Sequence, residues 1–525
     1  MRSRHSVNSR SHPGRMNWQA AEPNTNTAKK GVAAIKGSST TDTSPADFDV
    51  IIIGAGISGI GAAYRIAQRN PGLRYVILER RAQIGGTWDL FRYPGVRCDT
   101  STYTLCFPWE PWTKTEAIAD GDQIREYITA AAHKHKIDRH IRFNTHIRSA
   151  DWDSATHTWT VRADSAAETP TIYRARFLFF GTGYYDYDEG YAPGFPGDEQ
   201  FSGTIVHPQH WPADLDYTGQ TIVVIGSGAT AVTMVPSLAM RAAKVTMLQR
   251  SPSYLLSLPK VDPGAALARR MLPSRLAHTL TRLRIAVVEV LLWELSRRRP
   301  GLVKKILRKA AIDQLPDGYD VDTHFTPRYN PWDQRICIVP NNEFYQAVRE
   351  GGVGIATGDI DHFDATGIAL KSGEHLNADI VVTATGMNML ALGGIAVSID
   401  GTEIKPQERY MYKAQMLEDV PNLAWCIGYA GLSWTLRADM TARSIAKLLA
   451  YMNSRQYTSA YPHRGSGIMP GRPLLDLTSG YVTRSAHALP MSGNKRPWKV
   501  GQNYLVDAIA HRFSGIGRAM VFGTA

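Results

Sequence analysis

Two stretches of this 525-residue chain join a glycine-rich turn to a charged strand end. In the first, Gly54-x-Gly56-x-x-Gly59 follows the apolar run Asp49 to Ile53 and opens a stretch, Ile57 to Ala67, whose apolar residues take helical spacing. A strand, a tight turn and a helix in that order offer backbone N–H groups to a pyrophosphate. The first glycine makes the turn, the second lets the backbone come close and the third seats the helix. A second β-rich run, Tyr75 to Leu78, ends in Glu79, where a carboxylate can accept hydrogen bonds from ribose hydroxyls.

The pattern recurs as Thr221 to Ile225, then Gly226-x-Gly228-x-x-Ala231, a helix to about Met240 and a strand Val245 to Leu248. Arg250 and Ser251 are here set against Glu79 and Arg80. A carboxylate repels a 2′-phosphate, whereas a guanidinium binds it in fork geometry, so the second nucleotide is expected to be NADPH rather than NADH. One acid-ended and one arginine-ended site is the layout expected for FAD beside NADPH, with the flavin carrying the difficult chemistry. Cys98 and Cys106 have the wrong spacing for a redox disulfide at a flavin, which leaves O2 as the better electron acceptor.

The elements that must hold these turns define an α/β fold: two dinucleotide-binding (Rossmann-like) domains, for FAD and NADPH, with a helical insertion in the NADPH domain. Between the two units the sequence predicts a helix near Gln123 to His133 and strands Arg142 to Ser149, Thr158 to Ala163 and Thr171 to Phe180. The last ends in Gly181-Thr182-Gly183, and a later strand, Asp379 to Ala384, ends in Thr385-Gly386. Both junctions read as crossings between domains. Pro263, Pro273, Pro300 and Pro316 punctuate a helical insertion, the chain returns through Tyr329 to Ile338, and Arg437 to Met452 reads as a late helix. The expected division is a disordered basic tail over 1–45, FAD-binding parts at 46–195 and 387–525 (with the C-terminal segment), NADPH-binding parts at 196–262 and 319–386, and the insertion at 263–318.

A net charge of +12 with 59 Lys and Arg suggests nucleic acid until the charge is located. Residues 1–44 hold seven of the cations against Glu22 and Asp42, and 264–313 hold twelve against Glu289, Glu294 and Asp313. The rest of the chain is nearly neutral, which argues against a nucleic-acid partner. The basic segment could instead lie on an anionic membrane or be a solvated face. The tail has no apolar run of signal-peptide length; it reads as a plain tail or an early start with Met16 available, its arginines also resembling a transit peptide. The longest apolar stretch, Ile285 to Leu295, is too short to span a bilayer. Four cysteines without a C-x-x-C pair argue against a disulfide scaffold or a zinc site and for a reducing compartment. The expectation is a cytoplasmic enzyme, without a metal, able to touch a membrane peripherally.

A longer pattern lies between the two units: Phe201-x-Gly203-x-x-x-His207-x-x-x-Trp211-Pro212. It resembles the fingerprint of class B flavoprotein (Baeyer–Villiger) monooxygenases. Flavin-containing amine and sulfide monooxygenases share its first half and usually lack the closing Trp-Pro. The stretches Gly85 to Gly95, His207 to Pro212 and Tyr329 to Arg335 extend the similarity, which covers roughly residues 48–510. Two departures stand out: the long segment ahead of the first strand, and Met387-Asn388 where many relatives have an aromatic residue and an acid.

The resemblance implies roles for particular residues. Ser58 and the stretch Gly86, Thr87, Trp88, Asp89 and Leu90 would line FAD, with Ile147 offering backbone to the adenine. Asp99 would sit beside the flavin ring. Arg97, Cys98 and Asp99 would touch nicotinamide, and Gly226, Ser227, Gly228, Ala229, Thr230, Ala231 and Val232, with Arg250 and Ser251, would hold the rest of NADPH. Arg335 corresponds to the active-site arginine, the cation that stabilises a C4a-peroxyflavin, and Asp99 would orient it. His207 is expected at an inter-domain hinge. Trp88, Trp332 and Trp434 carry no catalytic assignment, and Cys98 reads as a packed thiol. The implied reaction inserts one oxygen of O2 into a ketone, giving an ester or lactone, with sulfide or thioamide sulfur as a further acceptor. The alternative within enzymes is an N- or S-hydroxylating flavin monooxygenase; outside them, a flavin-binding sensor.

Overall fold

Each glycine-turn unit belongs to its own sheet. The computed structural model describes residues 46–525 apart from 165–169, 468 and 514, so the tail expected over 1–45 lies outside the described residues. The first unit comprises the strand Phe48–Ile53, the helix Ile57–Arg69 and the strand Tyr75–Leu78. Val50, Ile51 and Ile52 are fully buried, as a continuous apolar run covered on both faces requires. Phe48–Ile53 lies between Tyr75–Leu78 and Thr171–Phe180, parallel to both.

Thr171–Phe180 is the hinge pin of this 11-stranded sheet. Its first half pairs antiparallel with Thr158–Ala163, and its last residues pair parallel with the late strand Leu423–Trp425. The chain therefore returns to complete the first sheet, and the helix Trp434–Ser454 packs on Ile57–Arg69. Asn70 Nδ2 ties the two helices by donating to the Ala446 carbonyl at 3.0 Å. In the outer strands Trp152 and Trp159 are fully buried with ring centroids 5.5 Å apart. Removing either ring would cost about 3–5 kcal/mol.

The second sheet has five strands, all parallel, in the order Val353–Thr357, Lys244–Gln249, Thr221–Ile225, Ile380–Thr383 and Thr204–Val206. Two segments join the sheets. The chain leaves the first along Tyr185–Gly190 and comes back along Met387–Met389, and these two pair with each other. The strand-to-glycine junctions at 181–183 and 385–386 are these crossings. The two-domain α/β reading thus holds. Residues 263–312 form the helices Pro263–Met271, Ser274–Arg298 and Pro300–Ile312.

One expected element differs. The single strand Arg142 to Ser149 is instead Ile141–Arg142 and Ile147–Asp153, because Asn144 turns to φ 53 while the N–H groups of Asn144 and Thr145 donate to the carbonyls of Arg81 and Glu79. The return through Tyr329 to Ile338 is a turn, with Trp332 at φ 68, that leads past Arg335 into the strand Cys337–Pro340. The antiparallel strands Ile360–Asp364, Gly367–Leu370 and His375–Asn377 carry too short an apolar pattern to be read beforehand.

Candidate active site

The first glycine turn, the strand ends beside it and the crossing at Gly181 enclose a cleft. Gly54 has φ +99, and a Cβ on Gly59 would lie 1.8 Å from the Gly54 carbonyl oxygen, so the turn closes only with hydrogen at both positions. Gly54, Gly56 and Ser58 line one wall of the cleft, and Gly86, Thr87 and Trp88 line another. Glu79, 3% exposed, lies on its floor beside Ile147. The Glu79 carboxylate accepts the N–H of Ala55 at 2.6 Å and of Arg81 at 2.8 Å. Burial pushes its pKa up, and those two N–H groups with the Arg81 cation pull against that shift. Each oxygen keeps a lone pair for a further donor.

Asp99 and Arg335 meet in the same cleft. An Arg335 Nη donates to the Asp99 carboxylate at 2.9 Å, and about three quarters of each side chain is buried. Arg335 is delivered by the turn ahead of Cys337–Pro340. That turn is held by Asp333, which accepts from Asn330 N at 3.0 Å and pairs with Arg297 at 3.1 Å. Burial works most strongly against the guanidinium charge, but Asp99 together with Tyr481, Tyr184 and Tyr185 outweighs it and the net pKa shift is upward. Arg335 is a fixed cation whose Nε is buried without a partner among the described residues.

Other expected site residues fall outside this cleft. Asp89 is turned away to accept from Arg81 at 2.6 Å and from Arg92, and Leu90 belongs to the core of the second sheet. Arg97 pairs with Glu343 at 2.5 Å while its Nε and one Nη stay buried and unpartnered among the described residues. Cys98 Sγ lies 3.2 Å from Thr100 Oγ1, and burial pushes the thiol up to about 12, which leaves it protonated and inert.

The second motif approaches the Asp99–Arg335 pair from the other side. Ala231 and Val232 are buried under its sheet, Gly228 caps the helix that begins at Ala229, and Gly226 turns at φ +139. Ser227 Oγ donates to the Ser251 carbonyl at 2.9 Å, and the Ser227 carbonyl is 4.0 Å from Sγ of Cys337, two residues beyond Arg335. The Thr230 hydroxyl bonds Tyr93. One correction concerns the strand end. Ile53 pairs with Leu78 and Ile225 with Leu248, so Gln249 takes the position of Glu79 and Arg250 that of Arg80. Gln249 is buried and donates to the His324 carbonyl at 2.9 Å. Arg250 is exposed and has no carboxylate partner among the described residues.

Sequence reasoning did not find Tyr184, Tyr185, Tyr187, Tyr429 and Leu432 in the cleft, nor the part played by Trp434, whose Nε1 donates to Ser58 Oγ at 2.8 Å. The first three tyrosines follow the Gly181-Thr182-Gly183 junction closely, but no local pattern placed them in the cleft. The long fingerprint lies elsewhere. His207 packs its ring on Gly190 at the crossings, Phe201 is core of the second sheet, and Trp211 meets Tyr217 edge-on.

A cleft with a buried strand-end carboxylate, a second phosphate-type turn and a fixed cation between them defines a two-nucleotide α/β oxidoreductase. Known proteins agree. A family model described as pyridine nucleotide-disulphide oxidoreductase matches residues 51–257. The FAD-containing monooxygenase EthA of Mycolicibacterium smegmatis is 47% identical over 470 residues, 89% of this chain and 95% of that one. Among solved structures, an oxidised steroid monooxygenase bound to NADP superposes with TM-score 0.71 at 21% identity, over 91% of this chain and all of that one. OTEMO in complex with FAD and NADP gives TM-score 0.70 at 19% identity over the same shares. The chain belongs to the FAD-containing monooxygenase family, as its fingerprint suggested.

Proposed function

We propose that this enzyme uses NADPH and O2, through FAD, to insert one oxygen atom into an apolar ketone, yielding an ester or lactone, and that it also oxygenates thioether or thioamide sulfur. The Asp99–Arg335 pair between the two glycine turns carries this reading. The residues present fit both cofactors. At the first turn Gly56 and Gly86 pack backbone to backbone, a Cβ on Gly86 meeting the Gly56 Cα at 3.0 Å, and with no side chain on either the backbone can approach a pyrophosphate in the cleft. Glu79 has lone pairs to spare for a ribose. At the second turn the exposed Arg250 suits a 2′-phosphate, and the orphaned Arg97 nitrogens call for a polar ligand. OTEMO, which shares this fold, holds FAD and NADP together, and that supports the pairing.

Bound FAD would supply electron storage and O2 activation, which no side chain offers. The chain's own residues do the rest. Gly54, Gly56, Ser58, Thr87 and Trp88 would position the flavin nucleotide, and Ser227, Thr230 and Arg250 the NADPH. Arg335 offers its charge to negative charge developing on oxygen, already oriented and so without reorganisation. Asp99 aims the guanidinium and moderates its field. Leu105, Tyr429, Leu432 and Trp434 make the wall apolar, which keeps water from the reacting centre.

Product analysis tests the reading: FAD-loaded protein with NADPH, O2, phenylacetone, 2-octanone and an aryl methyl sulfide, with hydrogen peroxide measured alongside. Esters from the ketones are the expected outcome. Sulfoxide or peroxide with no ester at all would overturn the ketone assignment.

A further inference from the structure

The helices Pro263–Met271, Ser274–Arg298 and Pro300–Ile312 are apolar on two sides, and the protein uses one. Inward, Ala286 and Val290 of the long helix pack on Tyr429, Leu432 and Leu436. Arg282 anchors the same side by donating to the carbonyls of Tyr103, Thr104 and Cys106 at 2.7 to 2.9 Å. Outward, Leu276, Leu280, Leu283, Leu291 and Leu295 recur at helical spacing along one stripe. They face solvent, Leu291 at 62% exposure. Both neighbouring helices expose large apolar side chains too, Met271 at 72% in the helix before and Ile306 at 53% in the helix after. The long helix has 25 residues, which makes it about 37 Å long. An exposed apolar stripe running along such a helix is the mark of an interaction face.

Charge identifies the occupant. The segment 264–313 holds twelve Lys and Arg against three acids. Some are paired, as Arg297 is with Asp333 and Arg308 with Asp322, but Arg270, Arg275, Arg299, Lys304 and Lys305 have no carboxylate partner among the described residues. We propose that this face docks on an anionic lipid surface, its leucines entering the acyl boundary while the cations meet headgroup phosphates. A second copy suits it poorly, since a two-fold axis would set the same cations against one another. No helix of the described residues is long and apolar enough to cross a membrane, so the segment lies on the bilayer. The inward side of the long helix backs Leu432, which lines the cleft, so docking brings membrane-dissolved molecules close to it. Docking of this face does not depend on which substrate is oxygenated.

The test mixes the full FAD-loaded chain with vesicles of phosphatidylcholine alone or of phosphatidylcholine and phosphatidylglycerol in equal parts, and separates bound protein by sedimentation. Binding is expected to the mixed vesicles, about tenfold or more weaker to phosphatidylcholine alone, and reduced by added salt. Leu280→Asp with Leu283→Asp and Leu291→Asp should lower binding about a hundredfold while flavin absorbance and turnover of a water-soluble substrate stay as in the wild type. Arg270→Glu with Lys304→Glu and Lys305→Glu should abolish the preference for phosphatidylglycerol. Wild-type protein that stays in the supernatant, or leucine variants that sediment like wild type, would overturn the proposal. So would a wild-type dimer in light scattering that the leucine variants dissociate and that ignores vesicles, which would assign the face to a second copy.

Discussion

The two glycine turns share one frame and differ at the strand end. In both, the first glycine N–H donates to the carbonyl of a leucine near the end of the neighbouring strand, Leu78 or Leu248, at 2.8 Å. Past that leucine the first unit has a buried carboxylate, Glu79, satisfied by two backbone N–H groups, and then Arg80, engaged by the Asp188 carboxylate at 3.3 Å. The second has a buried amide, Gln249, and then Arg250, which is exposed and meets no carboxylate among the described residues. Backbone geometry thus supplies the phosphate turn in each case, and two side chains decide which nucleotide it suits. Arg80 and Arg250 occupy one register position, yet of the two only Arg250 lacks a carboxylate partner among the described residues.

The largest effect should come from removing the carboxylate. Glu79→Ala leaves the N–H groups of Ala55 and Arg81 without acceptors in a buried site, which should cost about 4 kcal/mol of stability, with a large fall in flavin content. Denaturant unfolding and the ratio of flavin to protein absorbance read both, and a variant that keeps its flavin and its unfolding midpoint would break the distinction between the two units.

Another buried carboxylate sharpens what Glu79 owes to its donors. Glu289 accepts from Thr104 Oγ1 at 3.0 Å but leaves Oε2 without a partner among the described residues. Burial pushes it up to about 7 despite Thr104, Arg282 and the Ser433 backbone. A carboxyl raised in the folded state holds its proton there after the unfolded chain has lost it, so wild-type stability should fall between about pH 4.5 and pH 7 and level off above. Glu289→Gln carries no such charge. It should match wild type near pH 4.5 and exceed it by about 3 kcal/mol at pH 8; equal stability at both pH values would show that the carboxylate finds water or a cation when charged.

Arg250→Ala addresses the other unit. Losing one charge-assisted contact to a phosphate should weaken NADPH by about 2 kcal/mol, seen as a KM raised on the order of thirtyfold with kcat little changed and NADH unaffected. Equal loss with both nucleotides would show that Arg250 does not read the 2′-phosphate. The smallest effect belongs to its counterpart. Asp188→Ala removes an exposed partner from Arg80 and should change stability by less than about 1 kcal/mol in a thermal melt.

How far the sequence carried varied with the kind of signal. Both glycine turns, Glu79 and the strand Thr171–Phe180 were legible because period, punctuation and end charge coincide within one unit. The position of Arg250 was misread by one residue, since strand register is fixed by pairing with Thr221–Ile225 and not by the local string. The break at Asn144 was hidden for a like reason: its cause is a backbone bond to Arg81, far away in the chain. Asp99 and Arg335, 236 residues apart, were named through family likeness, and no local pattern places them together. The cleft tyrosines at 184, 185 and 187 sit where a crossing strand ends, a feature visible only once both sheets exist. His207 of the fingerprint was read as a hinge residue through the same likeness, and its ring lies on Gly190 at the crossings.

Arg335→Ala tests most directly whether the cation between the two units does the oxygen chemistry. The variant is loaded with FAD, its flavin reduction by NADPH is followed without oxygen, and products from a ketone are then measured in air. Flavin reduction within a few-fold of wild type, ester formation lowered on the order of a hundredfold or more, and hydrogen peroxide in its place are expected. Ester formation at near wild-type rate would contradict the role assigned to Arg335.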